Sequence, residues 1–369
     1  MILNMNYNLI FALFFLVSLK SFSSEIKLGI IYADSGRKSG PMCISEALIN
    51  VYNKKGFKIK HFMFSNHSNL VGVANAATIA ISDRLDVVIG TRTSQEAIAA
   101  SNLFNKSNIP FVAAMASHPD VTKDKPYSTR MVSTSDRYSL LISNYMTKEF
   151  NPSKVAIVRN LSYPYSTFYS EQTAKNLKNI NGKIEIKIFD IYENYSDFNS
   201  LVQSMLAWNM DMLYLPLYDV QINAILNALD GVKRKLRVLG NGGASGDRQL
   251  FYRFTKENPN ITLSFHDIWT GKPRGRYVSE FNRLVNEYCP NFQSDFETAI
   301  AYDTAKMLLV TLEKSPKLRG LQLISSFKKI DFDGVTGRLF FDKSGSPIRD
   351  MPIISIKNGT DFKLDILGN

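Results

Sequence analysis

Ile89-Gly90-Thr91-Arg92-Thr93-Ser94 is the stretch that decides the fold, together with Phe111-Val112-Ala113-Ala114-Met115-Ala116-Ser117-His118-Pro119 about twenty residues later. Each stretch is an apolar run, typical of a buried strand, followed by a small, hydroxyl-rich turn predicted to open a helix. Such a turn directs unpaired backbone N–H groups at an anion or carboxylate. Because loops at the carboxyl ends of neighbouring parallel strands form the crevice of open α/β sheets, the two turns together predict a ligand site.

Short β-branched runs alternate with apolar residues at helical spacing over most of the chain. The predicted strands are Ile26–Ile31, Phe57–Phe64, Val87–Gly90, Pro110–Ala114, Lys154–Val158, Ile184–Phe189, Met212–Leu215 and Arg237–Gly240. The predicted helices include Ile44–Asn53, Val71–Ile81, Glu96–Phe104, Leu140–Phe150, Thr167–Leu177, Phe198–Ala207 and Ile222–Leu229. Repeated βα units require largely parallel sheets with helices on both faces. The pattern predicts an α/β fold with two such sheets.

The first residues are typical of an export signal. A polar start is followed by the apolar run Leu9–Leu19, and Ser21-Phe22-Ser23 offers small residues for cleavage, so residues 1–24 are predicted to be removed. The run is shorter than the ~20 residues of a membrane-spanning helix. The absence of Lys or Arg before Lys20 leaves an uncleaved anchor as an alternative, whereas the absence of a cysteine after the run disfavours a lipid anchor. We expect a periplasmic protein with no direct membrane insertion after signal cleavage.

The net charge of +11, from 44 Lys+Arg and 33 Asp+Glu, would suit an anionic partner. The basic residues do not cluster, and the densest run, Lys233-Arg234-Lys235, is predicted to end a helix, where cations are favourable. We expect no nucleic-acid partner. The four histidines lack metal-ligand spacing, and CxxC, HExxH, GxSxG and Walker patterns are absent from the sequence. We therefore expect no metal, no cofactor and no catalysis.

The chain that remains after removal of residues 1–24 is longer than a domain with a single hydrophobic core usually is, so two domains are expected. The two cysteines, Cys43 and Cys289, could pair if both lie in one domain. The sequence does not decide this, and we slightly favour two free, buried thiols.

The chain resembles the periplasmic branched-chain amino-acid binding proteins, the type I solute-binding components of ABC importers. The resemblance rests on the order of the two opening stretches and the strand Thr129-Arg130-Met131. It extends to Leu28-Gly29-Ile30-Ile31 with Ser35-Gly36, to Ala301-Tyr302-Asp303-Thr304-Ala305, and to the run from Phe332 to Asp342. It implies two Rossmann-like lobes joined by a three-strand hinge. Its expected boundaries are 25–133 with 270–337 for lobe I, and 134–269 with 338–369 for lobe II.

The resemblance also implies site residues in lobe I. Ser94 is expected to give its hydroxyl and nearby N–H groups to a ligand carboxylate, and the alternative is that Ser94 only caps the helix. Met115 and Ser117 match positions that offer backbone groups and a hydroxyl to the same ligand. Ala116 would leave room for close approach.

In lobe II, Tyr165 and Tyr218 match aromatic residues that close over the ligand, although ordinary packing is an equal alternative for each. Asn241-Gly242 departs from the family, because Gly242 stands where an acidic residue pairs with the ammonium group of an amino acid. Asp219 or Asp247 could replace that acid, or the ligand could differ.

Together, these features predict a receptor that delivers a small polar, amino-acid-like solute to an inner-membrane ABC permease. The alternative is a ligand-sensing protein that signals to a membrane or envelope partner, which the sequence does not separate from transport.

Overall fold

The computed structural model of the protein describes residues 25–33, 39–241, 248–292 and 294–368, over which strands and helices alternate. The strands are β1 (Ile26–Tyr32), β2 (Ile59–Ser65), β3 (Val87–Gly90), β4 (Phe111–Ala113), β5 (Ser128–Arg130), β6 (Lys154–Asn160), β7 (Glu185–Ile191), β8 (Met212–Leu215), β9 (Leu236–Gly240), β10 (Ile261–His266), β11 (Phe332–Gly334), β12 (Gly337–Phe341), β13 (Pro347–Arg349), β14 (Met351–Lys357) and β15 (Thr360–Leu367). The helices are α1 (Gly40–Lys54), α2 (Leu70–Ser82), α3 (Ser94–Lys106), α4 (Ser135–Tyr145), α5 (Pro164–Ile180), α6 (Phe198–Ala207), α7 (Asp219–Ala228), α8 (Arg248–Glu257), α9 (Val278–Tyr288), α10 (Phe296–Lys314) and α11 (Gly320–Phe327).

The first sheet contains five parallel strands in the order β2-β1-β3-β4-β5. Its strands are apolar on both faces because helices cover both. Ile30 and Val87 pack in the cluster that contains α1 and α10, whereas the next residues, Ile31 and Val88, pack against α2 and α3 on the opposite face. The part of the protein built on this sheet is called lobe I below.

The second sheet contains seven strands in the order β15-β14-β10-β9-β8-β6-β7 and defines lobe II. Strands β6 to β10 run parallel to one another, β14 pairs antiparallel to β10, and the edge strand β15 pairs antiparallel to β14. A third, antiparallel sheet joins β11, β12 and β13. The predicted α/β fold with two largely parallel sheets is therefore confirmed.

The chain passes between the two large sheets three times: after β5, after β10 and before β14. A buried network joins these segments. The Asp303 carboxylate accepts from the backbone and hydroxyl of Thr336, and the Arg349 guanidinium lies 4.0 Å from it. Arg349 also donates to the Met131 carbonyl at 3.2 Å, and Arg274 donates to the Thr336 carbonyl at 3.1 Å. The lobe boundaries given above remain a prediction.

Cys43 and Cys289 form a disulfide with an S–S distance of 2.13 Å, so the favoured interpretation as free thiols is wrong. Cys43 lies in α1 and Cys289 follows α9, and these two helices pack against each other in lobe I. A sequence separation of 246 residues hides this proximity, because the intervening chain builds lobe II and returns. A disulfide suits an oxidising compartment such as the periplasm.

The predicted signal at residues 1–24 and the Ser35-Gly36 pair of the resemblance lie outside the described residues. Within the described part of the chain, no helix is both long and apolar enough to cross a membrane.

Candidate functional site

A cavity of about 510 Å³ lies between the lobes, where carboxyl ends of strands from both sheets meet. This volume is in the range of pockets for small molecules. Its wall includes Arg92, Ser94, Met115 and Ser117 from lobe I, Tyr165, Tyr169, Tyr218 and Asp219 from lobe II, His266, Asp267, Ile268 and Trp269 from the second connection, and residues 294–297 at the start of α10.

The turn between β3 and α3 approaches its neighbour closely. Gly90 has φ +132°, and a Cβ atom there would lie 2.0 Å from the Ile31 carbonyl oxygen, so this position requires glycine. Thr91 follows with φ +64°, an unfavourable conformation for a β-branched residue, and its N–H donates to the same carbonyl at 2.7 Å. This turn directs the start of α3 at the cavity.

Thr93, and not Ser94, caps α3. The Thr93 hydroxyl accepts from the Glu96 N–H at 3.2 Å, and the Glu96 carboxylate accepts from the Thr93 N–H at 3.0 Å, which makes a capping box. The alternative assignment of Ser94 as the N-cap is therefore wrong. The Ser94 hydroxyl accepts a long hydrogen bond of 3.4 Å from the His118 N–H and keeps its own proton for another partner.

The stretch that contains Ser117 leads into a single turn of 3₁₀ helix, Pro119–Val121. We had expected a longer helix there. The His118 side chain caps the 3₁₀ turn by accepting from the Asp120 N–H. Buried Arg130 holds the turn by donating to the His118 carbonyl at 2.7 Å and the Pro119 carbonyl at 3.0 Å. The Ser117 hydroxyl, just before this turn, accepts from the Ser135 hydroxyl at 2.9 Å.

Aromatic rings form the facing wall in lobe II. Tyr165 and Tyr218 stack with ring centroids 5.3 Å apart, and the Arg92 guanidinium of lobe I lies 6.0 Å from the Tyr218 centroid. Tyr163 packs edge-on against Tyr218 at 5.2 Å. The two lobes therefore approach each other through a cation and an aromatic pair.

Two predicted site residues that the structure describes do not line this wall. Ala116 is buried in the core of lobe I, and Asn241 is buried with its side-chain oxygen accepting from the Tyr214 hydroxyl at 2.8 Å. Gly242 lies outside the described residues, as does Asp247.

The ionised groups on the wall are mostly paired. Arg92 bonds Glu297 at 2.5 Å, and Asp295 caps α10 by accepting from the Thr298 N–H at 2.8 Å. Asp219, at the first position of α7, makes no side-chain hydrogen bond or salt bridge with a described residue, although it interacts electrostatically with Arg92. Its carboxylate is the candidate partner for a ligand cation.

His266, at the end of β10, is a wall residue that the sequence analysis missed. Its side chain is 6% exposed, and neither ring nitrogen has a hydrogen-bond partner among the described residues. The ring lies 5.5 Å from that of Tyr138 and 6.3 Å from that of Tyr169, measured between centroids. Burial lowers the pKa of the imidazole from 6.5 to about 3, so the ring is neutral at physiological pH.

A family model described as periplasmic binding protein matches residues 25–361, nearly the whole described chain. The chain belongs to the periplasmic binding protein family. The resemblance stated from the sequence is thereby confirmed.

Individual periplasmic binding proteins are distant from this chain in sequence. The Leu/Ile/Val-binding protein of Citrobacter freundii is 23% identical over 241 residues, which are 61% of this chain and 63% of that protein. This chain thus aligns with less than two thirds of the length of that curated relative.

Solved structures of periplasmic binding proteins share the fold over most of the chain. The leucine binding protein of Thermotoga maritima has a TM-score of 0.78 at 18% identity, covering 92% of this chain and 97% of its own. A solute binding protein of an ABC transporter from Rhodopseudomonas palustris HaA2, solved with p-hydroxybenzoic acid, also has a TM-score of 0.78, at 16% identity, covering 94% and 98%. One fold thus accommodates an amino-acid receptor and a receptor for an aromatic acid.

Since the folded state of this periplasmic binding protein keeps His266 neutral, we expect its stability to fall in acid. In the unfolded chain the His266 ring binds a proton near pH 6.5, whereas in the folded state it stays neutral down to about pH 3. The free energy of unfolding therefore decreases as the pH falls from about 6.5 towards 3. Between pH 7.5 and 4.5, His266 should contribute a loss of about 2–3 kcal/mol. Urea unfolding at both pH values should show this loss in the wild type and in exposed His67→Gln, but not in His266→Gln. Equal acid sensitivity in all three proteins would contradict a buried neutral imidazole.

Proposed function

We propose that the protein is a periplasmic receptor that captures a small polar solute between its lobes and delivers it to an inner-membrane ABC permease, after removal of residues 1–24. The observation that carries the proposal is the convergence of the two turns containing Ser94 and Ser117 on one inter-lobe cavity, opposite the stacked rings of Tyr165 and Tyr218. No cofactor is required for capture and release.

The lobe I side of the cavity suits a carboxylate. Ser94 is only 2% exposed and lies on the cavity wall at the start of α3, where its hydroxyl oxygen accepts from the His118 N–H in the turn that contains Ser117. Because the backbone dipole of α3 is positive at this end, an anion is stabilised there. Ser94 and Ser117 therefore bind the ligand carboxylate in this proposal.

A cation on the same ligand fits the opposite side. The described wall carries four carboxylates and two guanidinium groups: Asp219, Asp267, Asp295, Glu297, Arg92 and Arg248. This balance disfavours a ligand with only negative charge and favours a zwitterion. Glu297 pairs with Arg92, Asp295 caps α10 and Asp267 accepts from the Trp269 N–H, whereas the Asp219 side chain makes no hydrogen bond or salt bridge with a described residue. Asp219 therefore takes the ligand ammonium in this proposal. An amino-acid-like ligand thus fits this cavity better than an aromatic acid without an amine.

The proposed lobes are 25–133 with 270–337 and 134–269 with 338–369, and they close around the ligand by bending at the three connections. Such hinge closure is a recurring motion of two-lobed receptors. The contact between Arg92 and the Tyr218 ring supports a closed arrangement of this kind.

The carboxylate site is tested by Ser94→Ala. Removal of a hydroxyl that binds a charged group costs about 1.5–3 kcal/mol, so affinity should fall roughly ten- to a hundredfold. A thermal-shift screen of amino acids and p-hydroxybenzoate first identifies a ligand, and calorimetry then measures its affinity. Ser101→Ala is the matched control, because Ser101 is also buried on α3 but donates to the Ile98 carbonyl away from the cavity. Unchanged affinity in Ser94→Ala would contradict the carboxylate site.

The ammonium partner is tested separately with Asp219→Asn and Asp247→Asn. The proposal expects Asp219→Asn to weaken binding of an amino acid at least tenfold and to leave binding of an acid without an amine unchanged. Loss of affinity in Asp247→Asn alone would assign the ammonium to the loop after β9 instead. A ligand screen in which no compound raises the melting temperature would contradict solute capture itself, since a ligand at a hundred times its Kd adds ~2.7 kcal/mol of stability.

A further inference from the structure

His266 stands apart from the other polar groups of the cavity. The Tyr138 hydroxyl accepts from the Ser133 N–H at 3.3 Å, and the Ser117 hydroxyl accepts from the Ser135 hydroxyl at 2.9 Å. By contrast, both nitrogens of the His266 ring lack a partner among the described residues. A buried polar group without a partner is costly, so natural proteins rarely keep one without a reason.

The position of His266 separates it from the carboxylate site. Tyr169 shares the cavity wall with both: its hydroxyl is close enough to Ser117 to interact with that side chain, and its ring lies roughly parallel to the imidazole, 6.3 Å away between centroids. His266 therefore lies about one tyrosine side chain away from Ser117. A ligand whose carboxylate is held by Ser94 and Ser117 would bring its other end towards the imidazole.

We propose that His266 forms a second subsite, which hydrogen-bonds an uncharged polar group at the end of the ligand distant from its carboxylate. The inference rests on the proposed function and deepens it, because it defines the ligand class. A neutral imidazole offers one donor and one acceptor. A hydroxyl or a primary amide satisfies either nitrogen, and a hydrocarbon tail satisfies neither.

This subsite gives ligands of nearly equal shape different affinities, according to whether they carry a hydrogen-bonding group. A site built around a buried hydrogen-bonding group discriminates strongly against an analogue that lacks the matching group. We therefore expect the receptor to prefer hydroxyl- or amide-bearing amino acids over the branched aliphatic ones. Asp267, the adjacent acid on the wall, already accepts from the Trp269 N–H at 3.0 Å. Preferred binding of a ligand with a cationic side chain, next to Asp267, is therefore the competing outcome of the test.

The experiment uses three pairs of amino acids: asparagine and leucine, threonine and valine, and glutamine and methionine. Calorimetry measures the affinity of each for the wild type, His266→Leu and the surface control His67→Leu. In the wild type and the control, at least one polar member should bind at least tenfold more tightly than its apolar partner. In His266→Leu this preference should disappear. Equal or tighter binding of every apolar member to the wild type, survival of the preference in His266→Leu, or a preference for lysine over all six would each overturn the proposal.

A second measurement covers the case in which His266→Leu does not fold. In wild-type protein with ¹⁵N-labelled histidine, the ring nitrogen signals of His266, assigned with His266→Gln, should shift when the preferred amino acid is added, whereas those of His67 should not. An unchanged His266 signal on saturation would overturn the subsite while leaving capture by Ser94 intact. If none of the amino acids binds the wild type, the proposed function and this inference fail together.

Discussion

Asp303→Ala should lower the free energy of unfolding by about 3–5 kcal/mol, the loss expected when one partner of a buried ion pair is removed. Asp303 and Arg349 have side chains that are 0% and 1% exposed, respectively. Without the carboxylate, the Arg349 cation and the N–H groups of Val335 and Thr336 lose a buried acceptor. Denaturant unfolding of both proteins measures the difference.

Asp331→Ala is the matched control for this prediction. Asp331 also pairs with an arginine, Arg338, but the two side chains are 54% and 63% exposed. An exposed pair contributes about 0–1 kcal/mol because water and salt screen it. If Asp303→Ala were no more destabilising than Asp331→Ala, the three connections would not depend on this network.

The double substitution Cys43→Ala with Cys289→Ala is expected to destabilise the protein by about 2–5 kcal/mol. The disulfide closes a loop of 246 residues and so restricts the unfolded chain much more than the folded one. Equilibrium unfolding of the oxidised wild type and the double variant gives the difference.

Reduction supplies the internal control for the disulfide. A thiol reductant present during unfolding should lower the midpoint of the wild type towards that of the double variant, and it should leave the double variant unchanged. A wild-type midpoint that is insensitive to reductant at equilibrium would contradict the bridge.

The strands of both parallel sheets were predictable because their signal is local. The predicted bounds of Val87–Gly90 and Met212–Leu215 match the structure, since each run is buried on both faces and ends at a turn. Helices α8 and α9 were not predicted, although each buries apolar residues at helical spacing, Phe251 and Phe254 in α8 and Phe281 and Leu284 in α9. Strand β15 was not predicted, although apolar and polar residues alternate from Phe362 to Ile366, which is a strand pattern.

The site was predictable in part. The turns containing Ser94 and Ser117 both reach the cavity, as their sequence patterns indicate. The disulfide and His266 depend on contacts between segments distant in sequence, which no local pattern records. The cap of α3 was a different case, because Thr93 and Glu96 form a capping-box pattern that is visible in the sequence and was overlooked.

The capping box of Thr93 has a consequence for how this receptor can diverge. Because Thr93 caps the start of α3, the neighbouring Ser94 is not needed as the N-cap of this helix. Under the proposed role of Ser94 in binding the carboxylate, a substitution at 94 would change ligand recognition and leave the capping box intact, whereas a substitution at 93 would weaken the cap of α3 and leave the Ser94 hydroxyl in place. Adjacent positions in one turn would thus carry separate tasks.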